Sequence, residues 1–204
     1  MQNSIHTTPW QPLTAKVPCS LRASFSLPVP PQGLASHEFF YPDPSEVIGQ
    51  DWLGYMQSRG SRITSVIVFY RAANSPSRVA HIDVNARKYV TTCAINWVIG
   101  GEGSHMSWYD PPPGLDVGSM EITIASGKTH HLGFDASTLR EISRCEIKDS
   151  PVLVRTNIPH QVSVSSHDRW SISMRFGGRY QTWESAVDDF LRTGDLDPQA
   201  TQRE

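Results

Sequence analysis

The sequence predicts a mainly β protein, an antiparallel sandwich or barrel with helices near its two ends. Seven or eight runs rich in branched and aromatic residues fall within about 115 residues, with no βαβ alternation between them. Glycine (14) and proline (15) make up about a seventh of the 204 residues, a proportion that suits many strands joined by turns better than a helical bundle. The clearest three-and-four spacing of apolar residues lies after the strands, at Trp183, Ala186, Val187, Phe190 and Leu191.

Taken in order, residues 1–35 are a Pro-rich N-terminal arm. Thr8-Pro9-Trp10, Pro12, Pro18 and Pro28-Val29-Pro30-Pro31 each block helix continuation. An extended course with one edge strand around 21–27 is expected there. Residues 36–194 form the main domain, and 195–204 a polar tail expected to fray after Gly194. Within the domain, Pro44-Ser45-Glu46 opens a helix to Arg59, with Ser45 as its cap and Gly60 as its stop. Val47, Trp52, Leu53, Tyr55 and Met56 supply its buried face. Strands are predicted over 63–70, 79–84, 89–99, 120–125, 152–156, 161–164 and 170–176, and a closing helix over 182–192.

Composition narrows the function. Eighteen basic against twenty acidic residues give a formal charge of −2, so no global basic field exists to hold a polyphosphate backbone. Duplex nucleic acid is disfavoured as a partner, and a small molecule, amino acid or peptide is the expected substrate. No 18-residue apolar window and no basic start followed by an apolar run occur, so no membrane association and a cytoplasmic location are expected. Cys19, Cys93 and Cys145 are widely spaced and include no CxxC, which suggests neither a disulfide framework nor a zinc knuckle.

The chemistry concentrates in two places. In Val79-Ala80-His81-Ile82-Asp83-Val84, strand alternation puts His81 and Asp83 on one side and the apolar residues on the other. Far along the chain, Ile158-Pro159-His160-Gln161-Val162 sets a second histidine at the start of a strand. Two histidines and a carboxylate form a facial triad that suits iron(II) and leaves coordination positions open. Nine residues after His160, the segment from Arg169 to Phe176 alternates Arg, Ser, Ser, Arg with Trp, Ile, Met, Phe. A surface strand shows the same pattern with its polar row in water. The alternative turns the polar row into a cavity, where Arg169 offers a bidentate fork to a carboxylate and Ser171 adds a hydroxyl.

HxD, a distal His and RxS about ten residues later resemble the signature of the Fe(II)- and 2-oxoglutarate-dependent dioxygenases, over roughly residues 63–178. The resemblance implies a double-stranded β-helix (jelly-roll, cupin-like) with flanking N- and C-terminal helices. It implies Fe(II) on His81, Asp83 and His160, and 2-oxoglutarate with its distal carboxylate on Arg169 and Ser171. Arg175, six residues after Arg169, resembles a second arginine that some members carry, and Asn96 is a further candidate co-substrate contact. An Asp in HxD matches the hydroxylating branch. Two readings stay open beside it: a non-enzymatic cupin-like or lectin-like binding module, and an iron enzyme of this fold that does not use 2-oxoglutarate. On the dioxygenase reading, the row Trp170, Ile172, Met174 and Phe176 lies under the helices. Arg169 and Ser171 in bulk solvent would defeat the co-substrate assignment.

Trp108 and Tyr109 follow Gly100-Gly101-Glu102-Gly103 and are candidate substrate contacts on a loop, against surface packing as the alternative. His130-His131 reads as a solvated turn and His167-Asp168 as a hairpin turn. Arg59, Arg62, Arg71, Arg78, Arg87 and Lys88 make the first half locally basic and read as solvated strand ends.

Overall fold

The computed structural model describes residues 4–28, 37–76, 79–84, 91–114, 130–177 and 179–197. Among them the chain runs α1 (Ser4–Thr7), β1 (Trp10–Pro12), β2 (His37–Phe40), α2 (Pro44–Val47), α3 (Gln50–Ser58), β3 (Ser65–Arg71), β4 (Ala80–Val84), β5 (Cys93–Gly100) and β6 (His105–Tyr109). It continues with β7 (His130–Phe134), a 3-10 turn (Ala136–Thr138), β8 (Glu141–Cys145), β9 (Pro151–Arg155), β10 (His160–Ser163), β11 (Arg169–Arg175) and α4 (Trp183–Arg192). The strands form two antiparallel sheets, one ordered β1-β9-β5-β11-β3-β2 and the other β7-β4-β10-β6-β8. The sheets lie face to face as a double-stranded β-helix of the jelly-roll, cupin-like type, with helices at both ends of the chain.

Residues opposite each other on paired strands share a face, so one cross-sheet contact fixes the sense of every row. Arg175 of the first sheet reaches Asp83 of the second, so Arg169, Ser171, Ser173 and Arg175 point between the sheets. Trp170, Ile172, Met174 and Phe176 then point outward, yet all four are buried. They join Trp52 and Met56 of α3 and Trp183, Ala186, Val187 and Phe190 of α4 in one apolar cluster. The amphipathic spacing of α4 is thus spent on the outer face of the first sheet. Burying each such side chain is worth about 1.5–3 kcal/mol. A second cluster between the sheets holds Trp10, Ala94, Val98, Met106, Trp108, Val152, Val154 and Ile158.

Several expectations are corrected. No strand forms over 21–27; Leu21 makes a single bridge to Ile48, and the arm pairs with the sheet through β1, where Trp10 is buried against β9. The 44–59 helix divides at Ile48–Gly49 into α2 and α3. Its cap is Asp43, which accepts from Ser45 N–H and forms a capping box with Glu46, because a carboxylate before Pro44 reaches the first-turn amides better than Ser45 inside the turn. Past Gly194 the chain does not fray through residue 197. Asp195 and Leu196 are buried, with Asp195 taking Arg59, Tyr55 (2.5 Å) and Thr193 (2.6 Å). Residues 105–109 and 130–134, read as loop and turn, are strands β6 and β7, and β2 and β8 add two more. Arg59 and Arg71 are buried, not solvated; Arg62 is exposed. The expected strand at 120–125, and Arg78, Arg87 and Lys88, lie outside the described residues.

Candidate metal centre

Strand β10 lies between β4 and β6, and the register sets His160 opposite His81 on one side and Trp108 on the other. Shared register means a shared face, so both imidazoles and, two residues on, Asp83 project between the sheets. The rings of His81 and His160 stand 4.5 Å apart. His81 Nε2 lies 3.5 Å and His160 Nε2 3.8 Å from Asp83 Oδ1. One donor atom from each of the three residues falls within 4.8 Å of the other two. His81 Nδ1 and His160 Nδ1 each face the carbonyl two residues back, Val79 O at 3.3 Å and Ile158 O at 3.0 Å. An N–H on each Nδ1 leaves the lone pair on Nε2, aimed at the shared point.

Asp83 is divided between two tasks. Its Oδ1 faces the imidazoles, while its Oδ2 accepts from Arg175 Nη1 at 2.7 Å. Its backbone is hooked in place, N–H to Thr156 O (3.1 Å) and carbonyl from Thr91 N–H (3.0 Å). Burial works to raise the Asp83 carboxyl, but Arg175 and then the two histidines outweigh it and hold it well below the usual carboxylate range. His160 is pushed down to about 4, mainly by burial and then by His81, so it is a neutral imidazole at physiological pH. Two imidazole nitrogens and one carboxylate oxygen form a donor set that fits a facially bound divalent metal.

From this centre the interior row of β11 runs to Arg169, six residues and about 20 Å along the strand from Arg175. Ser173 Oγ donates to Asn96 Oδ1 (2.6 Å), which places Asn96 on the same interior wall. Ser171 is buried and its hydroxyl has no partner among the described residues. Arg169 is only 4% exposed, and none of its guanidinium nitrogens meets a carboxylate or carbonyl among the described residues. Burial, and next the neighbouring Arg71, push it down to about 10. The condition that would have defeated the co-substrate assignment, Arg169 and Ser171 in bulk solvent, is not met.

The glycine loop before β6 seats this arginine. Gly101, at φ 72°, packs so closely on Arg169 that a Cβ there would lie 2.7 Å from Arg169 Cβ. Gly100, at φ 68°, leaves 2.9 Å between such a Cβ and Asp168 O. The sequence marks these glycines as a loop and gives no sign that they form the cradle of Arg169. It also gives no sign that Arg71, at the end of an apolar strand, is buried. Trp108 is not on a loop. It is wholly buried on the interior face beside His160 and donates Nε1–H to Arg155 O (2.9 Å). Tyr109 turns the other way, its hydroxyl on Gln161 Oε1 at 3.1 Å.

No family model matches the sequence, and no curated protein matches it. Solved structures similar to it include oxalate oxidase in complex with the substrate analogue glycolate, at 13% identity and a TM-score of 0.33, covering 69% of this chain and 51% of that one. E. coli YcfD is similar at 13% identity and 0.34, over 71% of this chain and 35% of that one. NovW, a 4-keto-6-deoxy sugar epimerase from the novobiocin biosynthetic gene cluster of Streptomyces spheroides, is similar at 14% and 0.30, over 80% and 70%. The match thus spans about half the length of the oxalate oxidase chain.

Proposed function

We propose that the protein is an Fe(II)- and 2-oxoglutarate-dependent dioxygenase, with His81, Asp83 and His160 as the metal ligands and Arg169 and Ser171 as the seat of the distal carboxylate of 2-oxoglutarate. Bound together, the metal and co-substrate supply decarboxylation of 2-oxoglutarate to succinate and carbon dioxide, one oxygen atom of O2 going to succinate and the other to an unactivated C–H bond of the substrate. The observation that carries the reading is the buried, uncompensated Arg169 on the same interior row that ends at the histidine and aspartate cluster. A buried guanidinium without a counter-ion costs several kcal/mol, a cost that an anionic ligand offsets.

The chain's own residues then have separable tasks. The carbonyls of Val79 and Ile158 hold the imidazoles in the tautomer that presents Nε2 to a metal. Arg175 occupies one oxygen of Asp83 and so orients the other toward the histidines. Arg169 forks the distal carboxylate, Ser171 donates to it, and the Asn96 amide faces the co-substrate from β5. Trp108 forms a dry wall beside His160. The test is succinate formation by the full chain with Fe(II), ascorbate and 2-oxoglutarate, across small-molecule, amino-acid and peptide candidates. Turnover stimulated by a candidate and lost in His81→Ala is expected; turnover that survives His81→Ala overturns the assignment.

A further inference from the structure

Arg169 does not stand alone in the interior. In the antiparallel pairing of β3 with β11, Arg71 is its register partner, so the two Cα atoms are about 4.5–5.5 Å apart and both side chains leave on the interior face. Arg71 is 7% exposed. Its Nε donates to Ser75 Oγ at 3.3 Å and its Nη2 to Pro76 O at 2.6 Å, so half of its fork is spent on fixing the side chain. Nη1 has no partner among the described residues, and neither arginine forms an ion pair with a described Asp or Glu. The nearest acidic group in sequence, Asp168, is committed to Tyr70 OH (3.1 Å) and Ala73 N–H (2.8 Å). Burial lowers the affinity of both guanidiniums for their protons, and Arg71 adds to the effect on Arg169.

Two buried like charges side by side repel each other, and each also bears its own desolvation cost, so together they demand an anion more strongly than either alone. The HxD…H…RxS pattern accounts for one of the two. Resting on the dioxygenase reading above, we infer that Arg71 is a second anion-binding residue of the co-substrate pocket. The distal carboxylate lies between the forks of Arg169 and Arg71, and the pair selects a dianionic 2-oxo acid over a 2-oxo acid of the same length without the distal carboxylate. Arg71 is pre-oriented by Ser75 and Pro76, so it loses little side-chain entropy when the anion arrives.

The test is calorimetric binding to the full chain loaded with manganese(II), with 2-oxoglutarate and 2-oxopentanoate as the two probes, in wild type, Arg71→Met, Arg71→Lys and Arg169→Met. A charge-assisted hydrogen bond lost from a buried site weakens binding about 10- to 100-fold. Arg71→Met is expected to weaken 2-oxoglutarate by that factor and to leave 2-oxopentanoate within about threefold, with Arg71→Lys in between. Thermal melts monitor folding, and Arg71→Lys, which keeps the charge, carries the test if the methionine variant does not fold. Loss of 2-oxoglutarate binding in Arg169→Met, with Arg71→Met and Arg71→Lys both within about threefold of wild type, overturns the role of Arg71 and leaves the dioxygenase reading standing. Equal weakening of both probes by Arg71→Met also overturns it, because a merely structural residue would not read the distal carboxylate. Absence of 2-oxoglutarate binding in wild type overturns the underlying reading itself.

Discussion

Replacing Arg169 by methionine should make the ligand-free protein more stable while removing its response to 2-oxoglutarate. The guanidinium ordinarily titrates near 12.5 and here is pushed down to about 10 by burial and by Arg71. At about 1.4 kcal/mol per pH unit, the fold carries about 3 kcal/mol of strain against the charged form. The sign follows from the direction: a cation whose affinity for its proton is lowered by folding destabilises the fold at every pH below about 10, and the cost fades only above it. Methionine keeps much of the aliphatic stem on Gly101 and sheds the charge, at a packing loss of about 1 kcal/mol. The net gain of about 2 kcal/mol corresponds to a rise in Tm of about 4–8 °C for a chain of this size. Thermal unfolding with and without 2-oxoglutarate is the assay. Wild type should gain about 2.7 kcal/mol at a ligand concentration 100 times Kd, and the variant nothing. A ligand-free Arg169→Met protein that melts below wild type would refute the claim that Arg169 is an uncompensated charge awaiting an anion.

Four further outcomes follow. Asp83→Ala should abolish manganese(II) binding in equilibrium dialysis and cost about 3 kcal/mol in urea unfolding, since Arg175 loses its only carboxylate partner among the described residues. Gly101→Ala should cost about 1–3 kcal/mol and weaken 2-oxoglutarate binding by displacing Arg169, read by melting and calorimetry; an unchanged Kd would separate the loop from the pocket. Metal-free protein should lose up to about 3 kcal/mol as pH falls from about 6.5 to 4, because His160 holds its proton only near 4 when folded; His160→Gln should flatten that limb, read by unfolding at stepped pH. Trp108→Phe, which drops the bond to Arg155 O, should lower stability by about 1–3 kcal/mol, measured by denaturant midpoint.

The architecture and the centre of the site were legible because period-two alternation is a strong signal. His81 and Asp83 share a face in any strand reading, and the Arg/Ser against Trp/Ile/Met/Phe split of β11 marks two unlike environments whichever way it faces. Which face is the interior was a different matter. It depends on α3 and α4 covering the apolar row, a tertiary fact that only the amphipathic tail helix hinted at. Strands β6 and β7 were missed because Ser, His and Gly interrupt their apolar pattern; they are held by neighbours on both sides or by β4, not by their own propensity. Arg71 was unreadable because an arginine ending a strand is normally solvated, and its burial arises from pairing with a residue 98 positions away.

Strand β11 keeps two accounts on two faces. Its outward row holds the helices, and its inward row faces the second sheet without contributing to either apolar cluster. Variation along this strand should therefore sort by parity: substitutions at 170, 172, 174 and 176 reduce how much folded protein a cell accumulates, while on the proposed function those at 169 and 171 act first on 2-oxoglutarate binding.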